Sequence, residues 1–534
     1  MAKVRILLID DDKIVLRTIE KLLTREGYEL TIAESGQKAI DIAKNTSFDL
    51  IITDIRMPHI DGLETITKIK KLQEAAKGPK SKFMIITGYA DADVSNKATQ
   101  MGIRQFLYKP FDRDLFLEAI TSCLEPESNI PSHSEEAAPA DNKALIDSFI
   151  QGQIERNKQF LRSKAVPVIG WTNTYVPEEI ILAGGFMPYR IMGAPISISL
   201  SKTYLSGNLC SSVQSILECA LRGDYNFLDG MIIGASTDAT KRLYDAWIRY
   251  TNIPFCHLFD IPKFITEEAL THYIESVYSL IEEVEKYFKI KITESDIRGA
   301  ISICNKTRKL LTALNGLRKA DNPPITSQQF LEISKLAMTS NKKDFNDYLE
   351  KLLSQIRPEK EKRQGFRILL TGSFQDQPWL LDIVEERGAT VVCEDLCTRL
   401  RYFSGLVDEP SPCAQGLGED TDPIKAIAKR YLNTKPASAS LVSLDQRGEH
   451  LLRLVKEFNI DGVIYYILKF DDPYLFEFPD IKEVFTANNI PVLRIETEHN
   501  TSAIGQIMTR IQAFIETLKL AKLRKAREPL VKQD

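Results

Sequence analysis

Short apolar runs separated by stretches of helical period recur along the chain. In the first 125 residues there are five: VRILLI (4–9), ELTIA (29–33), LIITDI (50–55), FMIITG (83–88) and QFLYKP (105–110). Runs of this length predict strands buried on both faces, and so a parallel sheet with helices on either side. The segment IVLRTIEKLLTREG (14–27) predicts one such helix, closed by Gly27. Residues 126–143, PESNIPSHSEEAAPADNK, hold almost no large apolar side chain and predict a linker. Beyond it the alternation resumes in AVPVIGW (165–171), DGMIIGA (229–235), FRILLTG (366–372), ATVVCED (389–395), DGVIYYIL (461–468) and IPVLRIE (490–496). Residues 261–357 are amphipathic and predict mostly helix, and RPEKEKRQG (357–365) predicts a helix end before a new strand. The fold class that follows is α/β. It comprises a five-stranded doubly wound unit (1–125), the linker (126–143), an α/β subdomain (144–290), a helical insert (291–362) and a second α/β subdomain with a C-terminal helix (363–534).

The polar residues at the predicted strand ends carry the chemistry of the first unit. The first run ends in Asp10 and Asp11, with Asp12 next; the third carries Asp54, the fourth Thr87 and the fifth Lys109. Open parallel sheets bind ligands at the carboxyl ends of their strands, beside the point where strand order reverses. Carboxylates gathered there repel one another, and a hard divalent cation such as Mg²⁺ relieves the repulsion. A hydroxyl and an ammonium facing the same pocket suit a tetrahedral anion, with one carboxylate as nucleophile. Taken singly, an Asp at a strand end caps the next helix and a Lys is solvated. The conjunction on four strand ends favours a phosphoryl site.

Composition narrows the class. The chain has 534 residues, 43% hydrophobic and 27% charged, which is ordinary for a globular protein of several domains. A net charge of −4 argues against a surface built for nucleic acid, so direct DNA binding is not expected. No apolar run approaches the ~20 residues of a membrane span, and the acidic turn after MAKVRILLI argues against a signal peptide. Eight cysteines are too few for a disulfide scaffold and fit a reducing cytoplasm. The basic stretch from Lys519 reads as a solvated helix end.

Residues 3–124 resemble a response-regulator receiver domain, a flavodoxin-like fold, through LLIDDD, ITDIRMPHIDG, IITG and FLYKPF. The resemblance implies that Asp54 accepts a phosphoryl group from a sensor histidine kinase or a phosphotransfer protein. Asp10, Asp11 and Asp54 would hold Mg²⁺ together with the backbone carbonyl of Arg56. Lys109 would contact the phosphoryl group, Thr87 would move towards it, and Phe106 would take the aromatic switch position. A phosphoryl group adds about −1.5 to −2 charge at one point, enough to bias a two-state loop or interface.

Residues 165–525 resemble the D-component family of 2-hydroxyacyl-CoA dehydratases, which includes benzoyl-CoA reductase subunits. The likeness rests on GWTNTYVPEEIILAGGFMPYRIMGAP (170–195), LSGNLCSSVQSILECALRGDYNFLDGMIIGASTD (205–238), VVCEDLCTRLRYFSGLVDE (391–409), the segment from KFDDPY to RIETEH (469–499) and GQIMTRIQAF (505–514). The family implies a [4Fe-4S] cluster on three cysteines. It also implies an ATP-dependent activator that supplies an electron, and a partner subunit with which water is eliminated from a 2-hydroxyacyl-CoA. Cys210 matches the first ligand position, but Thr237 and Asp471 stand at the second and third. A hydroxyl and a carboxylate are poor ligands for a soft cluster. Cys393 and Cys397 are not read as ligands, and Cys219, Cys256 and Cys304 read as buried thiols. Glu178 and Glu179 have two readings: acids favoured in a first helical turn, or, by the resemblance, part of an acyl-CoA pocket. Arg510 reads as structural.

Three functions follow as expectations. The first is a phosphorylation-controlled regulator whose dehydratase-like domain lacks a complete cluster site and senses an acyl-CoA or docks on a dehydratase subunit or activator. The second is a phosphorylation-gated subunit of an active [4Fe-4S] dehydratase or reductase. The third is a scaffold that dimerises.

Overall fold

The computed structural model describes residues 4–55, 57, 60–76, 81–87, 105–108, 116, 120, 123–124, 141–359, 365–408, 422–433, 444–499 and 504–531. It divides into two units, 1–136 and 137–534. Among the described residues no helix is long and apolar enough to cross a membrane.

In the first unit the apolar runs become strands β1 (Arg5–Ile9), β2 (Glu29–Ala33), β3 (Leu50–Asp54), β4 (Lys82–Thr87) and β5 (Gln105–Tyr108). They pair in parallel in the order β2-β1-β3-β4-β5. Alternation along each strand feeds two cores at once. Leu7, Ile9, Ile51 and Ile85 pack on one face, and Ile6, Leu8, Leu50, Ile52, Met84 and Ile86 on the other. Because β2 and β3 lie on opposite sides of β1, the order reverses between β1 and β3, and a crevice opens at their carboxyl ends. The helix Lys13–Arg25 is followed by Gly27 at φ 89°, the left-handed conformation that lets the chain turn into β2.

The second unit holds two four-stranded parallel sheets of the same topology. The first consists of β6 (Val168–Trp171), β7 (Met187–Arg190), β8 (Gly230–Ala235) and β9 (Phe255–Asp260), ordered β7-β6-β8-β9. The second consists of β10 (Phe366–Gly372), β11 (Ala389–Asp395), β12 (Gly462–Leu468) and β13 (Val492–Thr497), ordered β11-β10-β12-β13. Each has its own reversal point, between β6 and β8 and between β10 and β12. Four helices, Glu267–Phe288, Glu294–Gly316, Ser327–Thr339 and Lys342–Gln355, run between the two sheets in sequence. With Asn142–Ser163 they share a core that includes Ile146, Tyr273, Leu311, Phe330 and Phe345.

The apolar runs locate β1 to β6, β8 and β10 to β13 and miss β7 and β9. Both are edge strands. The run β7 contains Pro188 and ends in Arg190, and β9 alternates buried with half-buried positions. The linker expected at 126–143 lies largely outside the described residues, and its last residues, Asn142 and Lys143, open the helix Asn142–Ser163.

Gly372, at the end of β10, has φ 121°, and a Cβ there would lie 2.1 Å from the Tyr466 carbonyl oxygen of β12. Only glycine fits this close approach. Gly372→Ala is expected to lower stability by ~3 kcal/mol, read as a lower urea midpoint. Gly207→Ala, with nothing within 4 Å of its added Cβ, serves as the near-neutral control.

Candidate functional site

Two sets of residues converge at strand ends. In the first unit Asp10 follows β1 and Asp54 ends β3, and the register that pairs Ile9 with Thr53 brings them side by side. Asp10 is buried, Asp11 exposed and Asp54 half-buried, and one carboxylate oxygen from each lies within 4.8 Å of the others. Among the described residues this is the one group of three His, Cys, Asp or Glu side chains so close. Asp10 is oriented by accepting from the Asp12 N–H at 2.9 Å. Three hard oxygen donors fit Mg²⁺. The loop after β3 returns tightly: the Gly62 N–H donates to the Ile55 carbonyl at 2.9 Å, and a Cβ on Gly62 would meet the Asp54 carbonyl oxygen at 2.1 Å. Thr87 ends β4 and Phe106 lies within β5, but their side chains are outside the described residues, as are Arg56 and Lys109.

In the second unit the two reversal points open onto one cavity of about 160 Å³. The end of β6 supplies Thr172, Asn173, Thr174 and Tyr175, and the end of β8 supplies Ser236 and Thr237. From the other sheet come Phe374, after β10, and Asp471, Pro473 and Tyr474, after β12. Cys210 and Val213 enter from the start of the helix Ser211–Arg222, and Arg190 from the end of β7. Cys210, Thr237 and Asp471 therefore line the same space, although 261 residues separate the first from the last.

Their chemistry differs from that of a three-thiolate site. Burial pushes the Cys210 thiol up to about 12, and the Asp471 charge adds to the effect, so the sulfur holds its proton. The Thr237 hydroxyl accepts from the Thr240 N–H at 3.3 Å in a capping box that starts the helix Asp238–Tyr250. The Asp471 carboxyl is raised to about 6, chiefly by burial and in part by Asp472 and Glu477, with Ser373 and Arg401 acting against the rise. The cavity holds a second thiol, Cys397, raised by burial and lowered in part by Arg190. One thiol, one engaged hydroxyl and one carboxylate at these three positions do not fit a [4Fe-4S] cluster held by three thiolates.

Glu178 and Glu179 are not in the cavity wall. They open the helix Glu178–Ala183 and are fully buried in ion pairs. Glu178 meets Lys342 at 2.9 Å and accepts from the Tyr402 hydroxyl at 3.0 Å. Glu179 accepts from Arg308 at 2.5 Å and from the Tyr431 hydroxyl at 2.8 Å. Burial alone would raise the Glu179 carboxyl, but Arg308 and Arg430 outweigh it and hold the group below its usual range. Arg510 donates to the Arg494 carbonyl and takes no part in the cavity wall.

Sequence reasoning missed Arg190, Cys397, Phe374 and Tyr474 as cavity residues. Arg190 ends a parallel strand, opposite Trp171 of β6, and that placement was the available signal. It went unused because β7 itself lacks the apolar run.

Comparison with known proteins places both units. The family described as 2-hydroxyglutaryl-CoA dehydratase, D-component, matches residues 173–518, and the response regulator receiver domain matches residues 6–121. The chain is 30% identical over 353 residues to the (R)-phenyllactyl-CoA dehydratase beta subunit of Clostridium sporogenes, covering 66% of this chain and 91% of that one. It is 25% identical over 389 residues to the beta subunit of (R)-2-hydroxyglutaryl-CoA dehydratase from Acidaminococcus fermentans, covering 70% of this chain and 99% of that one. The first 120 or so residues are similar to the transcriptional regulatory protein GlrR of Escherichia coli K12, with 36% identity over 22% of this chain and 26% of that protein.

The raised Asp471 carboxyl has a consequence for stability. A carboxyl whose folded value lies above its unfolded value of about 3.9 favours folding only while protonated. That contribution is complete in acid below the unfolded value, is lost as pH rises towards about 6, and leaves a constant penalty above it. Asp471→Asn is expected to match the parent at pH 4 and to exceed it at pH 7, by the order of 1 kcal/mol after solvent screening at the cavity wall. Melting curves at the two pH values check this; an advantage independent of pH would contradict it.

Proposed function

Because the chain belongs to the 2-hydroxyglutaryl-CoA dehydratase D-component family and carries a receiver domain at its N-terminal end, we propose that it is a cytoplasmic response regulator with a dehydratase-like output. In this reading Asp54 is phosphorylated and the output domain acts by binding a ligand or a partner, without cluster chemistry. The single observation that carries the reading is the contrast between the two sites. The carboxylate triad of Asp10, Asp11 and Asp54 is assembled, whereas the positions of the cluster ligands hold Cys210, Thr237 and Asp471 in one cavity.

The receiver chemistry follows from the placement of Asp54. One of its carboxylate oxygens attacks the phosphorus of a phosphohistidine, forming an O–P bond as the P–N bond breaks, and the imidazole of the donor leaves with a proton. Mg²⁺ held by Asp10, Asp11 and Asp54 would offset the charge of the incoming phosphoryl oxygens. Lys109 and Thr87 take the phosphoryl contact and the switch role in this proposal, with Phe106 following Thr87 and the Arg56 carbonyl completing the cation shell. The donor is a sensor histidine kinase or a phosphotransfer protein. The output side senses an acyl-CoA, or docks on a dehydratase subunit or its ATP-dependent activator.

A second reading has one observation in its favour. Cys397 brings a second thiol to the cavity, so a phosphorylation-gated dehydratase or reductase subunit with an altered cluster is the alternative.

Two measurements decide between them. Iron and sulfide are assayed after strictly anaerobic purification; absence of both is expected, and about four irons per chain would establish the second reading. The same protein is treated with acetyl phosphate and Mg²⁺ and analysed for an acyl phosphate. Labelling is expected in the parent and absent in Asp54→Ala. Gly62→Ala, which forces an atom onto the Asp54 carbonyl, is expected to slow labelling about tenfold or more. Labelling that survives Asp54→Ala would refute the receiver assignment.

A further inference from the structure

Buried guanidinium groups in the second unit are matched almost everywhere. Arg308 pairs with Glu179, Arg318 with Glu394, and Arg401 and Arg447 with Asp395. Arg430 donates to the carbonyls of Tyr402, Ser404 and Gly405, and Arg399 to the carbonyl and hydroxyl of Thr398. Arg190 differs. It is 4% exposed, and its Nε and Nη1 have no hydrogen-bond partner among the described residues. Its guanidinium lies over the Trp171 ring, 4.4 Å from the centroid, and it forms part of the cavity wall.

Among the described residues no carboxylate answers it. Glu178 acts on Arg190 from a distance but is already held by Lys342 and Tyr402. Asp471 shares the cavity, yet no hydrogen bond or ion pair joins it to Arg190 among the described residues, and the guanidinium that most lowers its carboxyl is that of Arg401. Burial of an unmatched cation is among the most unfavourable arrangements a protein can hold, and an anionic ligand relieves it. A guanidinium presents a fork of N–H groups that matches a carboxylate in two parallel hydrogen bonds. The helix Ser211–Arg222 also begins at this cavity and adds its positive end. The rest of the wall includes Ile191, Val213, Ile216 and Phe374, which suit an apolar arm.

We propose that the cavity binds an organic carboxylate, its charge on Arg190 and its apolar part against Ile191, Val213, Ile216 and Phe374. The proposal rests on the reading above in one respect: the cavity takes a ligand where the family holds a cluster. The carboxylate comes either from a free acid or from the far end of a dicarboxylic acyl thioester. The chemistry at Arg190 is the same in both.

The test uses the full chain, with iron content measured and Asp54 labelling confirmed on the same sample. Thermal shift and calorimetric titration compare benzoate and butyrate with benzamide and butyramide, and glutaryl-CoA with butyryl-CoA. Saturable binding of an acid, with its amide silent, identifies a free acid. Binding of glutaryl-CoA with the free acids and butyryl-CoA silent identifies the thioester. In either case Arg190→Met is expected to weaken binding about tenfold or more, and Arg190→Lys to weaken it less. Ligand-free Arg190→Met is expected to melt no lower than the parent, since it removes an unmatched charge. The proposal is overturned by equal binding of acid and amide, by undiminished affinity in Arg190→Met, or by collapse of that variant without ligand. Silence of every probe on iron-free, labelled protein overturns it alone, whereas iron in the sample overturns the regulator reading and leaves the Arg190 titration to be read on its own terms.

Discussion

Asp395, the last residue of β11, holds the second sheet of the large unit together at its functional edge. Its carboxylate meets Arg401 at 2.9 Å and Arg447 at 2.6 Å, with all three groups buried. Arg401 also reaches the Tyr474 hydroxyl in the cavity wall at 2.5 Å, and Arg447 reaches Thr371 of β10 and Glu477 of the helix Asp472–Ala487. Burial alone would raise the Asp395 carboxyl, but the two guanidinium groups outweigh it and hold it well below its ordinary range. The network therefore stays charged across the ordinary pH range. Its contribution is present above the unfolded value and is lost only as pH falls through the depressed folded one. Removing one member would leave another charge buried without a partner.

The first sheet uses the same device in a different place. Glu178 with Lys342, and Glu179 with Arg308, tie the helix after β6 to the helices Lys342–Gln355 and Glu294–Gly316. Tyr402 and Tyr431, from the segment after β11, complete the two clusters. The two acids in a first helical turn thus serve neither the helix dipole alone nor the cavity. They join the sheet to the helical layer. With these charges committed to architecture, the cavity keeps Arg190 and the raised Asp471 carboxyl, and the two govern what it can accept.

Parallel topology explains why the chemistry collects where it does. Strands buried on both faces leave polar side chains room only at their ends, and the reversal of strand order opens a crevice there. The carboxylate triad lies at one such crevice, and the large cavity lies between two. Glycines at Gly62 and Gly372 let neighbouring backbone approach these edges closely.

The strands β1 to β5, β6, β8 and β10 to β13 were legible in the amino-acid pattern, because continuous apolar runs follow directly from burial on two faces. So were Asp10, Asp11 and Asp54, since each sits at the end of such a run, whereas Cys210, Thr237 and Asp471 were singled out only by the family resemblance, and the fold brings them into one cavity. The strands β7 and β9 were not, because Pro188 and Arg190 interrupt the one and His257 the other, so neither forms a continuous apolar run. Arg190 was hidden with β7. The partners of Glu178 and Glu179 lie 129 to 252 residues away, a separation over which local pattern has no reach. The sequence by itself determined which residues form the buried strands and which donors stand at their ends. Only the tertiary structure decided which buried charges cancel and which one is left facing a cavity, because charge matching depends on distance in space and not on spacing along the chain.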